Sequence, residues 1–325
     1  MAMAGIKQKG GTVNNPTGGT ITGYNYGVEI YGLAGTVTNN GTIGATGAKG
    51  IGVELLDGGS VTNDKGAQIV AGYYGIQISG APGFVTNSGY ISSSDTGNSK
   101  TEGVRLEDGG TVINLAGGSI SSSGNGSGVH VTGAAGTVTN AGTITGSGGG
   151  IMLTHGGAVN NTGTVTGYVY GVCIYGGVGT VTNGGTITAP AKYGTGVEVL
   201  AGGSVTNKAG GSIAGGRTGV SVTGGTLTNA GSITNDNGGA KYVSGVFASN
   251  TQVVNTGKIV AIGMNHVAGV YLSNNSSLTN SGNISATGKY FSGVFAYKDN
   301  GSITNKVGGT ITGQSGVAVT YNAHF

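Results

Sequence analysis

An asparagine returns every 21 to 27 residues along this chain, each time two residues after an aliphatic one. Its members are Asn15, Asn39, Asn63, Asn87, Asn114, Asn140, Asn161, Asn183, Asn207, Asn229, Asn255, Asn280 and Asn305. From Asn15 to Asn305 is 290 residues in twelve intervals, or about 24 per interval. A period of this length is the mark of a solenoid, because one such unit cannot bury its apolar face alone and must stack on its copies. Residues 35–59, GTVTNNGTIGATGAKGIGVELLDGG, hold three short apolar runs, at Val37, at Ile43, and at Val53 with Leu55. Each run is too short and too rich in flanking glycine for a helix, and each alternates apolar with polar as a half-buried strand does.

Two further marks fix the rest of the unit. A β-branched aliphatic follows each asparagine by four or six residues, as at Ile43 and Ile69, and the six-residue form usually carries a glycine pair, as in NPTGGTI and NKAGGSI. The two forms differ by an even number, so the inward face stays inward. The third mark is glycine, aliphatic, variable, aliphatic: GVEI at Gly27, GVEL at Gly52, and so on through GVFA at Gly245 and GVAV at Gly316. Its two aliphatics point one way and the middle residue the other. Most length variation lies between the second and third marks, where loops are expected.

The expected fold is therefore all-β: a single-stranded parallel β-helix, or β-solenoid, with three short strands per coil and about 13 coils of about 24 residues. Parallel crossovers favour right-handed winding. At a strand spacing of about 4.8 Å the coils would make a rod roughly 60 Å long. Residues 1–10 read as an N-terminal flank, 11–320 as the repeat domain and 321–325 as a tail. A block of six coils beginning at residues 22–80 returns from 166–224 onward, and 22–63 align with 166–207 without a gap. Each coil offers about four aliphatic side chains to the interior, worth about 1.5 to 3 kcal/mol apiece before entropy is set against them.

Composition supports a fold over disorder. The 74 glycines recur at fixed places, only 8% of residues are charged, and the net charge is +3, unlike a highly charged disordered chain. The 14 Lys and Arg form no run, so no basic patch for nucleic acid or an acidic membrane is visible. The single cysteine, Cys173, excludes an intramolecular disulfide and falls at an outward position of the third mark. No apolar run approaches the length of a membrane span, and residues 1–11 lack the apolar core of a signal peptide. The opening MAMA reads as a trimmed or added start, and an export signal would lie outside this sequence.

The GTVTNxGTIxG pattern followed by GVxV resembles the passenger domains of bacterial autotransporters and related large exported β-helix adhesins, over essentially residues 11–320. The resemblance implies secretion, display at the cell surface, and adhesion or self-association. The translocating barrel of such proteins does not follow, since YNAHF comes directly after the last coil.

The asparagines read as a structural column: Asn tolerates the left-handed backbone of a sharp turn, and its amide both donates and accepts, so stacked copies can pair. Threonine pairs such as Thr36 and Thr38, Thr137 and Thr139, and Thr180 and Thr182 suggest an ice-binding face as a remote reading, interrupted at Phe84, Ile113, Asn160 and Val254. Fifteen tyrosines stand against no tryptophan. Tyr24, Tyr26 and Tyr31 recur as Tyr168, Tyr170 and Tyr175, with Tyr73, Tyr74, Tyr193, Tyr242 and Tyr290 before the third strand. They form a candidate interaction edge for sugars or proteins, or shield the loop side of the coils.

Enzymatic chemistry finds little support in the sequence. The 11 acids are scattered, and the four histidines, His130, His155, His266 and His324, fall on distant coils. Glu29, Glu54, Gln77, Arg105 and His130 should lie one above another; Glu29 with Glu54 could share a cation but read as solvated. No phosphate loop is present. The expectation is of no catalytic, cofactor-binding or metal residue and no cofactor. The chain reads as a non-enzymatic extracellular structural or adhesive solenoid. Its short flanks leave strand edges open to end-to-end pairing with copies of itself into a fibre. The alternative is an excised adhesin passenger binding host or matrix glycans or proteins through the tyrosine edge, and a polysaccharide-active β-helix enzyme is more remote.

Overall fold

The computed structural model describes residues 5–94, 100–235, 241–298 and 301–320. Residues 1–4 of the expected flank 1–10 and the tail 321–325, with His324, lie outside the described residues. Among the described residues the fold is all strand, a parallel β-solenoid of about 13 turns with no helix. The chain divides into two compact units, Met1–Gly167 and Tyr168–Phe325.

One coil of the first unit shows the construction. Its first strand is Gly59–Asn63, its second Gln68–Ala71 and its third Tyr74–Ile78. Val61, Ile69, Ile76 and Ile78 point inward and are wholly buried, each stacked in register on its counterpart from the coil before, as Val61 is on Val37. The strand Ile6–Asn15 pairs in parallel with Tyr26–Asn39, so residues 6–10 of the expected flank belong to the first coil.

The asparagine column lies inside each unit, fully buried over most of its length. In the first unit the Nδ2 of Asn15, Asn39, Asn63, Asn87, Asn114 and Asn140 each donates to the Oδ1 of the next member, ending at Asn161, over 2.7 to 2.8 Å. In the second, Asn183, Asn207, Asn229, Asn255 and Asn280 do the same as far as Asn305, over 2.7 to 2.9 Å. Each amide also serves its own turn: Asn39 Nδ2 donates to Gly41 O and its Oδ1 accepts from Gly41 N. The six-residue turns place a glycine in left-handed backbone three residues after the asparagine, as at Gly66 (φ 83) and Gly210 (φ 81).

The glycine that opens each third strand has a separate cause. A Cβ on Gly75 would stand 2.5 Å from Gly103 O and 2.6 Å from Ile91 Cγ2, so only glycine lets this corner close over the second strand of the next coil.

In the second unit the stretch between second and third marks is not a loop in the late coils. Lys258–Ser273 and Asn283–Tyr297 run as continuous strands through it. They are held by a small added core of Val243, Ala261, Val267 and Ala286, with Phe291 packed against it. This addition positions the site.

Candidate functional site

The middle residue of each third strand points away from the interior, yet it is buried or half-buried. In the first unit Lys7, Glu29, Glu54, Gln77, Arg105 and His130 follow one another in register. Glu29 and Glu54 are buried, which corrects their expected solvation. Lys7 Nζ donates to Glu29 Oε1 at 2.6 Å, whereas Glu29 Oε2 is buried without a partner. Burial, reinforced by the Glu29 charge, pushes the Glu54 carboxyl up to about 7.

Farther along, two acids that sequence reasoning passed over complete the row. Glu102 accepts from Arg105 Nη1 at 3.0 Å and meets His130 Nδ1 at 2.5 Å. Glu107 accepts from Arg105 Nε at 2.7 Å and Gln77 Nε2 at 3.0 Å. The Arg105 guanidinium also lies over the Tyr74 ring. Alternation supplied a signal for Glu107, which shares a face with Arg105 two residues earlier. This row is self-neutralising: its cations are held by its own carboxylates.

The corresponding positions of the second unit are Cys173, Glu198, Ser221, Phe247, Tyr271 and Phe295, again in register. Cys173 is buried, and its thiol is pushed up to about 12 by burial and then by Glu198, so at neutral pH it is a protonated donor toward Glu198 Oε2 and not a nucleophile. Burial raises the Glu198 carboxyl as well, with the Cys173 hydrogen bond and Arg217 opposing.

Beyond Ser221 the floor turns aromatic. Phe247 stacks on Tyr271 with ring centroids 5.2 Å apart, and Phe295 meets Tyr271 tilted by 42° at 5.4 Å. Beside them runs a second file, in which Tyr242 stacks on His266 at 4.7 Å and Tyr290 meets His266 tilted by 43° at 5.7 Å. All three of that file adopt left-handed backbone (φ 55, 52 and 54) within their strands. Between the files runs a row in register of Thr195, Thr218, Ser244, Ala268 and Ser292. Together these residues line a groove of about 880 Å³, with Glu198, Arg217, Tyr297 and Gln314 among its polar groups.

The structure brings only part of the expected tyrosine edge together. Tyr242 and Tyr290 line the groove. Tyr168, Tyr170, Tyr175 and Tyr193 do not, although they belong to the same unit. In the first unit Tyr24 and Tyr31 are exposed, Tyr26 and Tyr73 half-buried, and Tyr74 buried against Tyr73. Phe247, Tyr271, Phe295 and His266 are functional-site candidates outside the expected tyrosine edge. Among the described residues no group of three or more His, Cys, Asp or Glu could hold a metal ion.

Compared with family models and with curated proteins, the chain matches none. Among solved structures it is similar to the A-module of mannuronan C-5 epimerase AlgE4 of Azotobacter vinelandii. The TM-score is 0.38 and the identity 14%, over 98% of this chain and 90% of that one. The expectation of a non-enzymatic structural or adhesive solenoid assembling into fibres is corrected by this finding, since the similar module comes from an enzyme. That expectation, its adhesin alternative and the exclusion of enzymatic function are set aside. The likeness itself is one of fold and assigns this chain no reaction.

Proposed function

We propose that this chain is a carbohydrate-active β-solenoid that takes a polysaccharide along the groove of its second unit. The observation that carries the reading is the pair of aromatic files, Phe247–Tyr271–Phe295 and Tyr242–His266–Tyr290, repeated at the coil spacing of about 4.8 Å. That spacing is close to the length of one pyranose along a polysaccharide, so successive sugars meet equivalent surroundings on successive coils. Aromatic faces accept the apolar faces of sugar rings, and the row of Thr and Ser hydroxyls between the files offers partners for sugar hydroxyls. Titration with oligosaccharides of graded length, read by tyrosine fluorescence and calorimetry, tests it. Binding should strengthen up to about three or four sugars and weaken more than tenfold in Tyr271→Ala. Failure of every glycan to bind would overturn it.

A second reading, action on the bound chain, is favoured by Glu198. A carboxyl in a groove wall that keeps its proton to higher pH than usual is suited to deliver one to a glycan. Product analysis after incubation should show a changed glycan with the native chain and none with Glu198→Gln; a bound glycan left unchanged by the native chain would refute it. Export and surface display, in a relative of autotransporter passengers, fit this reading on the strength of the GTVTNxGTIxG and GVxV patterns.

A further inference from the structure

The charged groups around the two rows differ in how they are matched. In the first unit Lys7 is paired with Glu29, and Arg105 with Glu102 and Glu107. Around the second unit's groove, Arg217 lines the cavity, and its guanidinium makes a long donation from Nε to Tyr242 O at 3.5 Å. Lys289 Nζ stands 5.2 Å from the centroid of Tyr290 and Lys298 Nζ 5.3 Å from that of Tyr297, both rings that line the groove. Among the described residues none of these three cations is ion-paired with a carboxylate. His266 adds a group that can gain positive charge. Glu198, the acid that lines the groove, is engaged by the Cys173 thiol.

We propose that the groove selects a polyanionic polysaccharide, one bearing carboxylate or sulfate groups on successive sugars, with Arg217, Lys289 and Lys298 as its charge-reading residues. The proposal rests on the glycan reading above and adds the ligand's charge class. Aromatic files hold the ring faces of any glycan, whereas unpaired cations at the rim reward only a ligand that brings the missing negative charge. Arg217 is suited to fork onto a carboxylate or sulfate, and the two lysines act as point charges. A neutral glycan gains nothing from them. An anionic one gains both affinity and faster encounter, and both gains fall as salt screens the rim.

Calorimetry on the whole chain with oligogalacturonate and chondroitin sulfate oligosaccharides, against cello- and manno-oligosaccharides of equal length, decides the matter. The expected result is at least tenfold tighter binding of the anionic set in about 50 mM salt, with the preference shrinking severalfold in about 500 mM. The triple change Arg217→Gln, Lys289→Gln, Lys298→Gln should bring anionic and neutral affinities within about twofold of each other, through a loss of anionic affinity much larger than any change in neutral binding, with the far-UV circular dichroism of the folded chain retained. Equal or tighter binding of the neutral set to the native chain would overturn the charge class and leave the glycan groove standing. No binding by either set would overturn the glycan reading and this proposal with it. A preference that survives the triple change would remove these three residues from the role.

Discussion

The outward row of the first unit and that of the second occupy the same position of the same repeat, yet they have become different objects. The first, Glu29 to His130, spends its charges on itself through Lys7, Arg105, Glu102 and Glu107. The second, Phe247 to Phe295, has rings open to a groove and cations around it that lack ion-pair partners among the described residues. The interior is the same in both: valine, isoleucine and asparagine in register from coil to coil. What a solenoid conserves inward it leaves free outward, so a surface of stability and a surface of recognition can grow on one scaffold.

That contrast can be broken or sharpened by substitution. Asn87→Asp in the first unit and Asn229→Asp in the second should each cost roughly 3 to 5 kcal/mol at neutral pH. Each buries a carboxylate against the Oδ1 of the next member, where an amide had donated. Chemical denaturation should find the two losses alike, since the inward column does not differ between units. Lowering the pH should reduce both, because a protonated carboxyl can donate again.

Arg105→Ala should follow at about 2 to 4 kcal/mol, by leaving buried Glu102 and its neighbour Glu107 without their cation. A loss below about 1 kcal/mol would mean that the first row is not the self-supporting structure described. Next comes the pH response. Glu54 holds its proton longer folded than unfolded, so the stability it contributes is present below about 4.5 and is lost as pH rises to about 7, by at most about 3 kcal/mol. Glu54→Gln should flatten that part of the stability curve. Tyr271→Ala should cost least in stability, about 1 kcal/mol, while removing most glycan binding. A large loss of stability there would make the aromatic file structural as well.

The inward half of the molecule was legible in the sequence because alternation and stacking act on every coil alike. Val61, Ile69, Ile76 and Ile78 could be placed from their period alone. The asparagines could be found because each fills a turn as well as its place in the column. The groove was harder to see for the opposite reason. Its residues follow no rule of the repeat, and Tyr242, His266 and Tyr290 are brought together by left-handed backbone that spacing does not announce. A signal did exist: the third-strand middle position, charged or polar at Glu29 through His130, becomes Phe, Tyr and Phe at 247, 271 and 295. Continuing that column to its end would have found the aromatic floor. Nothing comparable marked the burial of Glu29 and Glu54.

Within each unit the bonds of the asparagine column run the same way, Nδ2 of the earlier coil to Oδ1 of the later. The amide dipoles within each unit therefore lie head to tail, with their positive ends toward the later coils, and each polarises the next. A single amide cannot turn over alone, for it would set oxygen against oxygen on one side and NH₂ against NH₂ on the other. The column thus has only two self-consistent orientations, and the turn bonds at residues such as Gly41 fix which one is taken. Each unit carries a vector along its interior, set at every rung and reversible at none.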